Sequence, residues 1–327
     1  MTAGADVSSV AGLHLSDPEL EAQVRDGLAQ VESLLHETVR SDYPFVTETS
    51  RHLLVAGGKR FRPLVVLLAA HFGDRASPGV VPAAVAIELT HLSTLYHDDV
   101  MDEADLRRGA ASANQRWSNT VAILTGDFLF ARASEITADL GTEATRILAQ
   151  TIAVLCEGQI RETVGPAGAP PVPHYMQVIA EKTGSLIATS GRLGALLAGA
   201  EPRVVTALTE YGARIGTAFQ LSDDLLDLTS ASTESGKTPG TDLREGIPTL
   251  PVLFALEDGF ELPEDLSDDA VLAATLERLR SHAALNRART ALQGQADVAR
   301  ACLAELPDLP ARVALEALCD FVVARTG

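Results

Sequence analysis

Apolar positions recur with a helical period along almost the whole chain, and few runs alternate with the period of two that marks a strand. The pattern predicts helices over residues 16–39, 64–72, 82–101, 119–138 and 143–162. Asp17 and Pro18 supply the start signal for the first of these. Further helices are expected over residues 175–200, 204–228, 248–256, 271–280, 284–306 and 311–325. Gly184, Gly191 and Gly194 in the 175–200 segment imply close packing against a neighbouring helix. The predicted fold class is all-α, one large helical unit of about ten core helices.

Punctuation between the helices supports one unit. Residues 1–15 are small and polar and are expected to be disordered, leaving 16–327 as a single domain. GGKRFRP (57–63) is a turn that opens a helix, with Pro63 suited to the first turn. VGPAGAPPVPHY (164–175) is expected to be a helix–helix connection, because the patterning on its two sides is alike. Residues 230–246 are polar and Gly-rich and are expected to form a mobile flap. Residues 257–269, EDGFELPEDLSDD, form an acidic solvated loop.

Composition narrows the function. The chain has 327 residues, 46% of them hydrophobic, enough for a large core. The formal net charge of −18 disfavours nucleic acid and anionic membrane surfaces. It also obliges any site for a polyanion to build its own positive field. Cys156, Cys302 and Cys319 lack metal-type spacing and are expected to be reduced core thiols of a cytoplasmic protein. The first residues do not read as a signal peptide. No apolar stretch reaches the length of about 18 residues that a membrane helix needs, so stable membrane insertion is not expected.

Chemistry is concentrated in two helices. The helix over 82–101 is mostly uncharged until it ends in Asp98, Asp99 and Asp102. Asp98 and Asp102 are spaced i,i+4, so both carboxylates share one face and repel unless a cation sits between them. Arg107 and Arg108 follow, and a hard divalent cation beside guanidinium forks can trap a pyrophosphate. Asp223, Asp224 and Asp227 repeat the spacing in a second apolar helix. A single acidic triplet reads as a solvated face; two copies in apolar runs do not. Lys59, Arg60 and Arg62 sit beside a predicted helix N-terminus, where an anion is favoured, although a basic surface turn has the same appearance. No Gly-x-Gly-x-x-Gly, Walker-type loop or Ser/His/Asp arrangement is present.

Six pieces in fixed order carry a resemblance: GGKRFRP, HDDVMDEADLRRG, GDFL, KTGSL, FQLSDDLLDL and GKTPGTDLREGIPTL. From about residue 45 to its end the chain resembles the trans-isoprenyl (polyprenyl) diphosphate synthase family. The resemblance implies a helical domain around a deep central cavity, a homodimer, and Mg²⁺-dependent head-to-tail condensation of isopentenyl diphosphate with an allylic diphosphate. It implies that Asp98, Asp99 and Asp102 face Asp223, Asp224 and Asp227 across the cavity mouth. Three Mg²⁺ would be held there, with Asp98, Asp102, Asp223 and Asp227 as ligands and Asp242 acting through water. Arg107, Lys182, Thr183, Gln220 and Lys237 match positions around the allylic diphosphate, Lys182 and Lys237 in catalytic roles. Lys59, Arg62, His91 and Arg108 match the pocket for isopentenyl diphosphate, and Phe219 an aromatic on that substrate's tail. A histidine on an apolar helix is ordinarily a core group, and so is an isolated lysine at a helix start a surface one; the matches promote His91 and Lys182, while His97 stays structural.

The product tunnel is expected on the cavity side before Asp98, lined by Ile87, Thr90, Ser93 and Thr94. Short-chain members of the family place bulky aromatics near positions 93 and 94; here both residues are small. The insertion seen within the first acidic motif of many bacterial farnesyl synthases is also missing. Each open helical turn adds about 5.4 Å, roughly one isoprene unit. The expected product therefore has about seven to ten units (about C35–C50), with Phe128 or Phe130 as the floor. The alternatives are a geranylgeranyl or farnesyl synthase, a class I terpene cyclase, a non-catalytic synthase subunit, and a purely structural helical protein. A cyclase normally carries an Asn/Ser/Glu second motif, and a non-catalytic subunit loses acidic residues; neither change is present.

Overall fold

The helix Val80–Met101 is buried on almost every face, and the rest of the N-terminal half is packed round it. A helix that is apolar all round cannot sit at a surface. The computed structural model describes residues 15–229 and 239–326. In chain order these form α1 (Pro18–Thr38), α2 (Pro44–Val55), α3 (Phe61–Ala70) and α4 (Val80–Met101), then a hairpin of β1 (Leu106–Arg107) and β2 (Ala110–Ala111). α5 (Ala113–Arg116), α6 (Asn119–Asp139), α7 (Thr142–Val164) and α8 (Pro171–Ile179) follow, then a π-helical turn over Ala180–Gly184 and α9 (Ser185–Leu197). The chain continues through α10 (Pro202–Thr229), α11 (Thr241–Arg244), α12 (Leu250–Glu257), α13 (Asp269–Arg280), α14 (Ala284–Cys302) and α15 (Pro310–Ala324). The all-α expectation holds.

Local signals act as read. Asp17 caps α1 by accepting from the Leu20 amide at 2.8 Å, with Pro18 opening the helix. Three apolar clusters form among the described residues: one round α4, one round α10, and a smaller one joining the end of α10 to α11, α12 and α13. α3 is buried on both sides and contributes to the two larger ones, Leu64 and Val65 to one and Val66 and Leu67 to the other. α9 and α10 lie backbone to backbone: a Cβ added at Gly191 would stand 2.4 Å from the Leu208 carbonyl oxygen. The close packing expected from the small residues is therefore real.

The departures have physical reasons. Leu15, assigned to the disordered N-terminus, is buried in the core with Leu20 and Val24; residues 1–14 lie outside the described residues. α2 was not anticipated, because Phe45 and Val55 on it are exposed and blur its apolar stripe. The Pro/Gly connection is shorter than expected, since Pro171 begins α8. The helix expected over 175–200 is interrupted by the π turn. Cys156 is exposed, not a core thiol, whereas Cys319 is buried and Cys302 half-buried.

Candidate active site

The hairpin after α4 positions the two arginines. Leu106 pairs with Ala111 and Arg107 with Ala110, so Arg108 and Gly109 form a two-residue turn with φ of 54° and 76°. Two positive φ values are the signature of the turn whose twist matches a hairpin. Arg108 holds the strained first position and donates to the carbonyls of Leu53, at 3.0 Å, and of Gly57. Gly58 lies flat against the Arg108 guanidinium, which a Cβ would approach to 3.0 Å. This contact explains Gly58, whereas Gly57 is called for by its φ of 95°.

Arg107 turns the other way. Its Nε donates to Asp99 Oδ1 at 2.5 Å, and its Nη2 lies 3.8 Å from Asp102 Oδ2. Asp99 is 0% exposed, and Oδ2 has no hydrogen-bond partner among the described residues. Its carboxylate anchors Arg107 and is turned into the protein, where the resemblance implied that it faces the cavity mouth. Asp98 and Asp102 remain at the end of α4. Burial, together with the charges of Asp102 and Glu162 and against the pull of Lys182 and Arg107, pushes the Asp98 carboxyl up to about 6. Burial also raises Asp102.

Lys182 answers that charge from the π turn, a device found often at functional sites. Its Nζ donates to Glu162 Oε2 at 2.6 Å. Burial works against its charged form, but Asp98, Glu162 and Asp102 outweigh burial and raise it. The next residue, Thr183, donates to Gln220 Oε1 at 2.9 Å, and Gln220 Nε2 donates to Asp224 Oδ1 at 2.8 Å. Adjacent residues of one turn thus connect the first acidic motif to the second.

Asp224 is buried, with Tyr175 donating to its other oxygen. Burial first, then the charge of Asp242, pushes it up to about 8. It turns into the protein, as Asp99 does, where the resemblance implied that it faces the cavity mouth. Asp223 is 41% exposed and accepts from Arg325 at 2.6 Å. Asp227 accepts the amides of Thr241 and Asp242 at 3.3 and 3.4 Å, holding the start of α11. Lys237 lies outside the described residues, as does most of the polar flap.

The circuit closes through the basic side. Burial lowers Lys59 and Arg62, and both feel the charge of Asp223. Arg62 Nε is buried without a partner among the described residues. Burial and the surrounding arginines, Arg62 and Arg108 foremost, hold His91 well below its ordinary value and keep it neutral. Arg60, read with Lys59 and Arg62 as part of an anion site, is otherwise engaged. It ion-pairs with Glu32 at 2.8 Å and with buried Glu88 at 3.1 Å. Phe219 stacks on Phe61 at 4.6 Å between ring centres, and the Arg325 guanidinium lies 4.9 Å from the Phe219 ring.

On α4, Ile87, Thr90 and Ser93 are buried and Thr94 is half-buried; Thr90 and Thr94 turn their hydroxyls back to their own helix, to the carbonyls of Ala86 and His91. Phe128 is half-buried beneath Arg132. Phe130, the other candidate for the floor, is 36% exposed on α6, which does not favour it as one. His97 packs against Gly126 and has the structural role expected. Sequence reading missed Glu162, Tyr175, Glu88 and Arg325, each brought in from another helix or a chain end. No local signal separates Glu162 from Glu143 and Glu157 on the same helix.

Among the described residues no three acidic, histidine or cysteine side chains converge into a ready-made metal cage. Each motif offers two carboxylates instead. Mg²⁺ is commonly held by one or two carboxylates with phosphate oxygens completing the shell. The desolvated, mutually repelling Asp98 and Asp102 fit such an ion.

The sequence model of one family, described as polyprenyl synthetase, matches residues 43–284. The chain belongs to the polyprenyl synthetase family. A nonaprenyl diphosphate synthase of Mycobacterium tuberculosis is 48% identical to this family member, over 97% of this chain and 98% of the relative. A geranylgeranyl pyrophosphate synthase from Corynebacterium glutamicum, solved with calcium and isoprenyl diphosphate, superposes with a TM-score of 0.86 at 45% identity, over 96% of this chain and all 100% of that one. A decaprenyl diphosphate synthase from Rhodobacter capsulatus gives a TM-score of 0.86 at 36% identity, over 94% of this chain and 99% of that one.

Proposed function

We propose that this polyprenyl synthetase condenses isopentenyl diphosphate with an allylic diphosphate, head to tail, in a Mg²⁺-dependent reaction giving an all-trans product of about C35–C50. The observation that carries the reading is the circuit joining the two acidic motifs through Lys182, Thr183 and Gln220, with Lys59 and Arg62 on the far side of Asp223. Asp98, Asp102, Asp223 and Asp227 are the residues that would hold the ions. Bound Mg²⁺ would neutralise the diphosphate and stabilise its departure.

The chain's own groups do the rest. Lys182 and Arg107 face the charge that develops on the leaving pyrophosphate. Arg62, with its unpartnered Nε, and Arg108 and Lys59 would receive the second diphosphate. Neutral His91 serves there as a hydrogen-bond donor, not as a base. The proton lost after the new C–C bond forms goes to the departing pyrophosphate, so no protein base is required. Lys237 is assigned to the allylic group by its matching position.

Product length rests on the small Ser93 and Thr94 and on the buried Thr90 and Ile87 before Asp98. The relatives of longer product agree with it, and the geranylgeranyl synthase supports the shorter alternative. The reading also takes the enzyme as a cytoplasmic homodimer. α6 exposes Ile123, Leu124 and Phe130, and α7 exposes Ile160 and Val164, an apolar surface suited to a second copy. No helix among the described residues is long and apolar enough to cross a membrane.

Incubation of the purified chain with farnesyl diphosphate, labelled isopentenyl diphosphate and Mg²⁺ tests the proposal. Chelator-sensitive products of about C35–C50 support it. Products ending at C15 or C20 refute the length, and no condensation refutes the function.

A further inference from the structure

Tyr175 meets the second acidic motif at a single point. Its side chain is buried on α8, and its hydroxyl donates to Asp224 Oδ2. Gln220 Nε2 donates to Oδ1 of the same carboxylate at 2.8 Å, and Thr183 donates to Gln220 at 2.9 Å. Three hydrogen bonds therefore run from α8 through α10 to the π turn that carries Lys182. Asp242 adds negative charge beside both Asp224 and Tyr175, so the hydroxyl also offsets repulsion at a buried carboxylate.

Asp224 stands between the two carboxylates that the reading assigns to metal. On an α-helix each residue turns by about 100°, so fixing Asp224 fixes the directions in which Asp223 and Asp227 point. A loosened Asp224 lets α10 rotate, and both neighbours move together relative to Lys182.

We propose that Tyr175 is a positioning residue for the second acidic motif: through Asp224 it sets the angle at which Asp223 and Asp227 are presented to a divalent cation. This inference rests on the prenyl-transfer reading.

Tyr175→Phe deletes the hydroxyl and keeps the ring. Tyr211→Phe is the control for a merely structural loss: Tyr211 lies on α10, the helix that carries the motif, is fully buried, and its hydroxyl donates to the Leu315 carbonyl at 2.8 Å, away from the motif. Two readouts are taken for each: the Mg²⁺ concentration giving half-maximal condensation, and that giving half-maximal thermal stabilisation with inorganic pyrophosphate present. Removing a group that orients a metal ligand typically weakens metal affinity about 10- to 100-fold. Tyr175→Phe should raise both concentrations about 10-fold and leave the KM for isopentenyl diphosphate within about twofold. Tyr211→Phe should lower Tm without moving either concentration. Gln220→Met, which removes the donor to the other Asp224 oxygen, should shift them in the same direction and reads the network should Tyr175→Phe fold poorly. Wild-type Mg²⁺ dependence in both Tyr175→Phe and Gln220→Met, or an equal shift in Tyr211→Phe, overturns the proposal. Absence of condensation by the wild-type chain defeats the prenyl-transfer reading instead, and the pyrophosphate melting arm still reads Tyr175 independently.

Discussion

Replacing Asp98 by Asn should stabilise the metal-free chain while abolishing its turnover. The Asp98 carboxyl is pushed from 3.8 to about 6 by burial and by Asp102 and Glu162, against Lys182 and Arg107. At neutral pH the folded chain must nevertheless ionise it, at a cost of about 3 kcal/mol from the difference between the two values. Solvent screening, and the loss to Lys182 of an opposite charge, reduce the net gain from Asp98→Asn to about 1–2 kcal/mol. For a chain this long that is a rise in Tm of about 2–3 °C. The sign carries a pH signature. A carboxyl whose folded value is raised binds its proton more tightly when folded, so stability is lost as pH rises from about 4 to about 6. The advantage of Asp98→Asn should be absent near pH 4 and complete by pH 7. Thermal melts in chelator at these two pH values, beside Mg²⁺-dependent condensation assays, measure both halves. A variant no more stable than wild type at pH 7, a pH-independent difference, or retained turnover refutes the reasoning.

Four further outcomes follow from the packing and the charges. Lys182→Gln removes the cation facing Asp98, Asp102 and Glu162, and kcat should fall about 100-fold or more, read by steady-state kinetics. Glu88→Gln removes one of the two acids paired with Arg60, Glu32 keeping the other, and should cost about 1–3 kcal/mol in denaturant unfolding; no measurable loss contradicts the pairing. Gly191→Ala forces a Cβ to 2.4 Å from the Leu208 carbonyl oxygen and should cost about 1–3 kcal/mol. Gly294→Ala on α14 meets nothing within 4 Å and should gain up to about 1 kcal/mol, so melting the pair side by side separates overpacking from helix propensity.

Much of this was legible because helices announce themselves locally. The 3.6-residue period, Asp17 before Pro18, and Pro63 in a first turn all act over a few neighbouring residues, and the helices they predict are present. α2 escaped because its exposed Phe45 and Val55 belong to no inward stripe. The π turn escaped because no residue in AEKTG forbids an ordinary α-helix there; its geometry is settled by contacts with α7, α9 and α10. Gly158, for example, lets α7 approach the Glu181–Lys182 backbone so closely that a Cβ would stand 2.9 Å from the Lys182 nitrogen.

The candidate site divides along the same line. The sequence by itself brought out the candidate residues, since acids at i,i+4 in apolar helices, and the GGKRFRP and RRG turns, stand out locally. It could not say which carboxylate of each triplet turns inward. That choice depends on Arg107 for Asp99 and on Tyr175 for Asp224, and Tyr175 lies 49 positions from its partner. It could not bring Arg325 to Asp223 across 102 positions, or place Glu88 beneath Arg60. Such pairings are decided only when packing fixes the distances between helices, because Coulomb and hydrogen-bond energies depend on separation in space and not along the chain.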